Sequence, residues 1–527
     1  MFSIPYQQTG YFSKLISDYL NQEHQLHTLY NRFPSIGAFK KQIEEKQRQF
    51  PEMNRTVLVQ SLQHQYRNTP TSEQTAHHIA LLSRENTFTI VTGHQLNLFT
   101  GPLYFLYKII SVINLCKELK KQYPAQHFVP VYWMATEDHD FDEINFFNFN
   151  RMKFQWNKEV SGPVGRLDTS GLDAVYEQFR QQLGIGKNAA YLDDLFRNAY
   201  LGHDNLADAT RFLANELFGE YGLVIVDGDD TELKRLFVPH IKEELLNQSS
   251  VKAVEQSFPV LKDYTIQVNP REINLFYIED GLRERIILEN GNYRINHTDL
   301  SFSEEELLAL LEKHPEKFSP NVILRPLYQE VTLPNLCYIG GGGELAYWLE
   351  LKEVFALHST VFPILLLRNS ALLVTHKQNS KREKLALSWE DLFLKTEAFL
   401  QKKTADLAQN LFDFDQQKRF LEEQFKQLEA LSLKTHPSFT GAINAQKTKQ
   451  LKGLENLEKR FLKAERLHNQ DVIDRMLELK IALFPNNSLQ ERVDNFASFY
   501  LDFGKDLIPS LMKELDPLHQ HYTIIAL

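Results

Sequence analysis

Two short stretches hold most of the residues able to do chemistry. The first is Thr92-Gly-His-Gln95, followed closely by Thr100-Gly-Pro102. The second is Glu137-Asp-His-Asp140 with Asp142 and Glu143, six ionisable groups in seven positions. Acids spaced so closely repel one another unless a cation, a basic ligand or water lies among them. A strongly apolar run feeds directly into this cluster, which favours a ligand over plain solvation. A calcium loop does not fit, because the sixth position from Asp138 is Glu143 rather than glycine and the twelfth is Phe149. A magnesium ion held through one or two carboxylates fits better, as does an ammonium group. His139 adds an imidazole suited to proton transfer near neutral pH.

The elements that must position these residues follow from pattern. Thr87 to Val91 reads as the end of a buried strand, then a glycine-broken loop, then a helix launched at Thr100-Gly101-Pro102. Such a loop presents His94, Gln95 and Thr100 beside free helix N–H groups, a place that favours anions. A second strand, Val129 to Ala135, opens into the acid cluster, so strand, helix and strand form a βαβ unit. Ligands in such sheets bind outside the carboxyl ends of the strands. Tyr221 to Asp227 is a third buried strand, ending in Asp227-Gly-Asp-Asp230. Asn321 to Arg325 and Val361 to Arg368 read as a fourth and a fifth, each ending in an arginine suited to a carboxylate or phosphate. Gly340 to Gly343 precedes Glu344 and a helix over Leu345 to Phe355. The run reads either as a turn or as backbone brought close to a ligand. Lys377-Gln-Asn-Ser-Lys381 reads as a solvated basic loop or a phosphate contact. There is no Gly-x-Gly-x-x-Gly with its acidic partner and no Walker A run, so any nucleotide must be held another way.

The chain has 527 residues, 43% hydrophobic and 24% charged, with a net charge of −10. That length implies two or three domains, and that sign gives no general attraction to nucleic acid or an anionic membrane. Cys116 and Cys337 are the only cysteines, so neither a disulfide framework nor a thiolate zinc site can be built. Two lone thiols and the lack of a signal-peptide pattern point to the cytoplasm. Residues 1–85 read as a helical segment. The α/β core takes 86–145, 204–259 and 319–387, interrupted by insertions at 146–203 and 260–318. Asp280-Gly281 marks a hairpin turn in the second insertion. Over 388–484, Leu407, Leu411, Phe414, Leu421, Phe425 and Leu428 step by fours and threes, with Lys418 on the missing rung, and Leu454, Leu457, Phe461 and Ala464 repeat the rhythm. These are the seams of two long antiparallel helices turning at Thr435 to Gly441, each arm on the order of 65 Å. Residues 485–527 return to the core through a loop and a last helix.

In combination, Val91 to Gln95, Thr100 to Tyr104, Tyr107-Lys108, Thr136 to Glu143, Gly340 to Glu344 and Leu489-Gln-Glu-Arg492 resemble the signatures of the BshC family, the cysteine-adding enzymes of bacillithiol biosynthesis. The resemblance runs over essentially the whole chain. It implies an α/β fold with a Rossmann-like parallel-sheet core resembling class I nucleotidyltransferases, two connecting insertions and a coiled-coil arm that makes a homodimer. It implies a ligase joining the carboxyl of L-cysteine to the amine of glucosaminyl-malate, the last step of the pathway, with ATP and an optional Mg2+ as cofactors and small molecules, not nucleic acid or membrane, as partners. The intermediate, adenylate or acyl phosphate, stays open. His94 stands where class I enzymes carry a nucleotide-binding histidine, without the full His-x-Gly-His pattern. The roles implied are catalytic for His94, Asp138, His139 and Asp140, with His94, Gln95 and Lys108 stabilising phosphate charge. The three residues of the acid cluster would bind an ammonium group or deprotonate the attacking amine. Arg325 or Arg368 would bind malate carboxylates. Thr92, Gly93, Thr100, Gly101, Glu137, Gly341, Gly342, Glu344, Lys381 and Arg492 would complete the binding surface. Two rivals remain: a class I synthetase-like nucleotidyltransferase with another substrate, and a non-enzymatic scaffold that uses the arm.

Overall fold

The computed structural model describes residues 2–408, 414–432, 434 and 436–527. Residues 2–373 with 490–525 form one compact unit and residues 374–489 a second.

The first unit is built on a five-stranded parallel sheet: β1 (Thr87–His94), β2 (His127–Met134), β3 (Val224–Asp227), β4 (Asn335–Gly340) and β5 (Ile364–Leu367). Its order is β5-β4-β1-β2-β3, with every pairing parallel. From β1 the chain moves outward through β2 to β3, then returns to the other side of β1 for β4 and β5. The direction therefore reverses between β1 and β4, and their carboxyl ends flank the crevice where open α/β sheets bind ligands. Every residue of β1 and of β4 is buried, as continuous apolar and β-branched runs require in a sheet covered on both faces. Pro130 sits inside β2, where a missing N–H would normally break the ladder. The register with β3 begins only at Val131, so Pro130 has a strand neighbour on one side alone. Helix α1 (Tyr104–Gln122) joins β1 to β2 and packs Val112, Leu115, Cys116 and Leu119 against Phe88, Ile90, Leu336 and Ile364.

Several expectations are corrected here. Asn321 to Arg325 is not a strand. Asn321 to Leu324 is a turn, and Arg325 opens helix α2 (Arg325–Thr332), with Pro326 in its first turn. The fourth strand is instead Asn335–Gly340, whose apolar part, Leu336 to Ile339, is only four residues long. The fifth strand is shorter than read, so Arg368 follows it. Glycines 342 and 343 lie within helix α3 (Gly342–Trp348), and the single helix expected to Phe355 breaks before a second, Lys352–Leu357. The hairpin at Asp280-Gly281 forms as expected, between Leu275–Glu279 and Leu282–Glu289. The two ends of the chain are not only helical: Phe2–Pro5 pairs antiparallel with His521–Ala526, which neighbours Ala371–Val374.

In the second unit, Phe414–Ser432 packs along Pro437–His468, with Lys418 paired to Glu458 at 2.7 Å and the Phe414 and Phe461 rings 5.8 Å apart. The rung assigned to Leu411 and the turn residue Thr435 lie outside the described residues. The turn is shorter than Thr435 to Gly441, because the second helix starts at Pro437. That helix runs 32 residues, about 48 Å, unbroken. Among the described residues no helix is long and apolar enough to cross a membrane.

Candidate active site

The β1–β4 crevice gathers three cations and two carboxylates. Lys108, in the second turn of α1, turns its Nζ back to the Gly93 carbonyl at 2.7 Å and to Glu344 Oε2 at 2.5 Å. Glu344 caps α3: its Oε2 accepts the Gly341 N–H at 2.8 Å and its Oε1 accepts the Tyr338 hydroxyl at 2.7 Å. Burial alone would raise the Glu344 carboxyl, but Lys108, the Gly341 N–H and Tyr338 overcome it and hold the group below the usual carboxylate range. Arg368, just past β5, pairs through Nη2 with Glu491 at 2.8 Å and donates from Nη1 to the Asn369 carbonyl and the Ser370 hydroxyl. Glu491 has no exposed surface and also accepts the Ala371 N–H at 2.9 Å. Arg325 reaches in from α2, its guanidinium 5.9 Å from the centre of the Tyr338 ring.

His94 ends β1 among these groups. It is 8% exposed, its ring packs against Tyr104 and Phe105, and its Nε2 has no hydrogen-bond partner. Burial, then the charges of Lys108 and Arg368, hold its pKa well below the ordinary histidine value. The imidazole is therefore neutral at physiological pH and keeps a nitrogen able to accept a proton. Arg368 Nε likewise has no partner. These two buried atoms face the same cleft and can form a hydrogen bond with water or with a ligand.

The acid cluster lies one strand over. The Ala135 N–H bonds to the His94 carbonyl at 3.0 Å, and Gln95 Nε2 donates to Asp138 Oδ2 at 2.8 Å, so the two stretches meet. Glu137 and Asp229 sit either side of Lys234 Nζ, at 2.9 and 2.8 Å, and Asp229 also takes a two-pronged contact from Arg166. Burial works against ionisation of Asp229, yet Lys234 and Arg166 pull its pKa down to about 2. Burial, offset in part by Lys234, raises the Glu137 carboxyl, and burial with the neighbouring Asp229 raises Asp227. His139 is exposed; its Nδ1 lies 2.6 Å from Arg283 Nη1, and since arginine only donates, that nitrogen accepts. Asp140 is exposed and caps the short helix Phe141–Ile144. With Glu137 and Asp229 tied to lysine and arginine, the exposed Asp140, Asp142 and Glu143 remain on this rim beside the half-buried Asp138, which takes the Gln95 amide and faces the Arg283 guanidinium, and among the described residues no three such groups converge to hold a metal ion.

The remaining expected residues are placed less uniformly. Thr92 is fully buried and ties β1 to β4 through the Ile339 carbonyl at 2.7 Å. Phe99 and Thr100 both have left-handed backbones, and the Thr100 hydroxyl is buried without a partner. The helix starts at Tyr104, three residues later than Gly101, so Thr100 does not stand at its first N–H groups. Gly101 (φ 63°) leaves no room for a Cβ, which would stand 2.6 Å from Asn97 Cβ. Gly341 faces Arg368 Nε, and Gly342 faces Ile16. Arg492 is exposed and acts, with Glu143, on the Tyr104 hydroxyl. Lys381 belongs to the second unit, on His376–Lys384, paired with Glu478 at 3.2 Å. Lys234, Arg166, Glu491, Tyr338 and Tyr347 were not singled out beforehand; only Glu491, inside Leu489 to Arg492, lay in a recognised run. A separate groove of about 980 Å³, lined by Lys117, Phe128, Pro130 and Lys513 among others, holds none of the expected residues.

Residues 1–369 match the family model described as Bacillithiol biosynthesis BshC, N-terminal Rossmann-like domain, and residues 371–527 match its C-terminal coiled-coil domain. This chain belongs to the BshC family. Among its relatives, a protein from Flavobacterium johnsoniae is 58% identical over 99% of each chain, and one from Cytophaga hutchinsonii is 40% identical over 97% of this chain and 96% of its own. One from Bacillus cereus is 28% identical over 95% of both. Each carries the name "Putative cysteine ligase BshC". BshC membership makes this chain an enzyme of bacillithiol biosynthesis, of the ligase class, with a Rossmann-like core and a coiled-coil domain.

Proposed function

We propose that this chain joins the carboxyl of L-cysteine to the amine of glucosaminyl-malate, the step that completes bacillithiol, after ATP activates the carboxyl. Hydrolysis favours the free acid in water, so the condensation needs an activated leaving group. The glucosamine nitrogen forms the new C–N bond while the bond from the carbonyl carbon to a phosphate oxygen breaks. Asp138 and Asp140, with His139 beside them, hold the incoming ammonium group and take its first proton, which frees the lone pair for attack, and His94 takes the second proton shed as the amide forms and the phosphate leaves with the C–O electron pair. Gln95 and Lys108 orient the activated carboxyl, Lys108 through the Glu344 carboxylate and the end of β1. The same reading takes the exposed apolar side chains of the second unit, Phe420, Leu428, Leu431 and Leu457, as the surface of a homodimer.

The observation that carries this reading is a neutral, buried histidine with an unsatisfied nitrogen at the switch point, linked through Gln95 to an open carboxylate on the neighbouring strand. The test is to incubate the protein with ATP, L-cysteine and glucosaminyl-malate and follow the mixture by mass spectrometry. The expected result is the thiol product with stoichiometric AMP or ADP, which also separates an adenylate from an acyl phosphate. No product and no nucleotide turnover would remove the reading.

A further inference from the structure

The loop between β1 and α1 follows a path that its own residues do not favour. Phe99 (φ 48°) and Thr100 (φ 68°) are successive left-handed residues, and Gly101 (φ 63°) follows them. For residues with a side chain this conformation is costly and persists only where the surroundings impose it. The loop's own polar side-chain atoms do not impose it: among the described residues the Thr100 hydroxyl and Asn97 Oδ1 are buried without a partner. Its backbone adds the bond from the Gly101 N–H to the Leu98 carbonyl at 2.9 Å. The rest of the hold comes from distant parts of the chain. Asn495 has no exposed surface, and its Nδ2 donates to the Phe99 carbonyl at 2.7 Å and to the Gly101 carbonyl at 2.6 Å, bracketing Thr100. Its Oδ1 accepts the Ala497 N–H at 2.9 Å, which fixes the orientation of the amide. The Asp494 carbonyl accepts the Leu103 N–H at 2.8 Å, and the Tyr200 hydroxyl accepts the Phe99 N–H at 2.7 Å.

That path decides where α1 begins. Tyr104 opens the helix with its ring 5.4 Å from that of His94 and 5.0 Å from the Arg368 guanidinium, and one turn on Lys108 reaches the Gly93 carbonyl. We propose that Asn495 is a positioning residue: by clamping Phe99 and Gly101 it sets the start of α1 and keeps Tyr104 packed over His94. Its bearing on catalysis rests on the ligation reading above, in which His94 takes a proton. Asn495 acts through the loop and touches no reacting atom. Asn148 offers a comparison, because its Nδ2 ties the same returning segment at the Val493 carbonyl, at 3.0 Å, rather than at the loop.

The test compares Asn495→Ser, Asn495→Ala and Asn148→Ala with wild type, all as full chains. Serine still caps the helix Phe496–Phe503 but is too short to reach both loop carbonyls, whereas alanine removes cap and clamp together. Each chain is followed by urea unfolding, by nitrogen-15 NMR of His94 and by amide formation from ATP, L-cysteine and glucosaminyl-malate. All three variants should unfold at lower urea than wild type. In Asn495→Ser the His94 ring loses cover and should take up a proton at a higher pH than in wild type, since burial, more than the facing Lys108 and Arg368, keeps it neutral. Its kcat should fall by roughly 10- to 100-fold, with KM for both substrates within about threefold. Asn148→Ala should leave the ring and kcat as in wild type. The proposal is overturned if Asn495→Ser loses stability with ring and kcat unchanged, or if Asn148→Ala moves them equally. Should neither Asn495 variant fold, Tyr200→Phe, which removes the loop's bond at the Phe99 N–H, is read in the same way. The ring is read without turnover, so a shifted His94 in a chain that makes no amide upholds the clamp and removes the ligation reading. Amide formation at an unchanged kcat with an unshifted ring does the reverse.

Discussion

Lys108 Nζ lies 2.5 Å from Glu344 Oε2 and 2.7 Å from the Gly93 carbonyl, so one lysine ties the head of α3 to the end of β1. Lys108→Met would strand the Glu344 carboxylate in a site where it is 25% exposed. Unfolding in urea should show a loss of about 3 kcal/mol, the low end for breaking a buried pair. The pH dependence has a definite sign. Glu344 is held below the usual carboxylate range, so its contribution is present above its unfolded pKa of about 4.3 and is lost as pH falls through the lower folded value. Glu344→Gln should therefore lose less stability than wild type on acidification below pH of about 4.

The neutral state of His94 can be read directly. Nitrogen-15 NMR of labelled protein should show its ring unprotonated at neutral pH and still unprotonated through the range where an ordinary histidine, pKa about 6.5, takes up a proton. His94→Ala should lower kcat by about 10²- to 10⁴-fold if the residue transfers a proton. An imidazolium signal at neutral pH would contradict the electrostatics described above.

Lys234 is 1% exposed and holds Glu137 and Asp229 together. Lys234→Met should cost about 3–5 kcal/mol, because two buried acids lose their shared cation. Arg166→Gln should cost much less, about 1 kcal/mol, since that guanidinium is 30% exposed and Lys234 remains on Asp229. Equal losses in thermal unfolding would show that Lys234 is not the centre of the network.

Two glycines separate close packing from open space. Gly101→Ala must place a methyl group 2.6 Å from Asn97 Cβ in a backbone with φ 63°, and should destabilise the chain by about 3 kcal/mol. Gly343→Ala meets nothing within 4 Å and should change stability by less than about 1 kcal/mol. Chemical denaturation of the two variants compares them directly.

If the second unit carries a homodimer, charge on its apolar side chains should break it. Phe420 and Leu457 are both 55% exposed. Sedimentation velocity should give twice the chain mass for wild type and a single chain mass for the Phe420→Asp, Leu457→Asp double variant. A monomeric wild type would set the idea aside.

Continuous apolar strands and the turn chemistry between them were legible from residue order. β1, β2 and β3 stand where the Thr87, Val129 and Tyr221 runs indicated, and Asp280-Gly281 makes its hairpin. Their parallel pairing follows, and so does the meeting of His94's loop with the acid cluster. β4 was misplaced because Asn321-Val-Ile-Leu-Arg325 has a strand's composition, yet Pro326 suits a helix start, and tertiary packing took Arg325 as the first helical residue. The pairing of ions was not legible. Lys108 and Glu344 are 236 positions apart, and nothing local distinguishes a lysine that meets a phosphate from one that meets a glutamate. Lys234 and Glu491 lie in ordinary polar surroundings by sequence, and only burial reveals what they hold. The terminal strands were missed because Phe2–Pro5 is too short to show alternation without its partner.

Glu491 supplies the counter-charge of Arg368 only after the ribosome has passed through the whole of the second unit. Until then a nascent chain carries Arg368 on a segment that has already emerged without the carboxylate that will face it. A fragment ending before residue 490 should therefore leave Arg368 without its buried counter-charge and unfold at a lower urea concentration than the finished protein. The late arrival of one carboxylate thus makes the last segment of the chain part of the charge balance of a crevice whose strands were synthesised long before it.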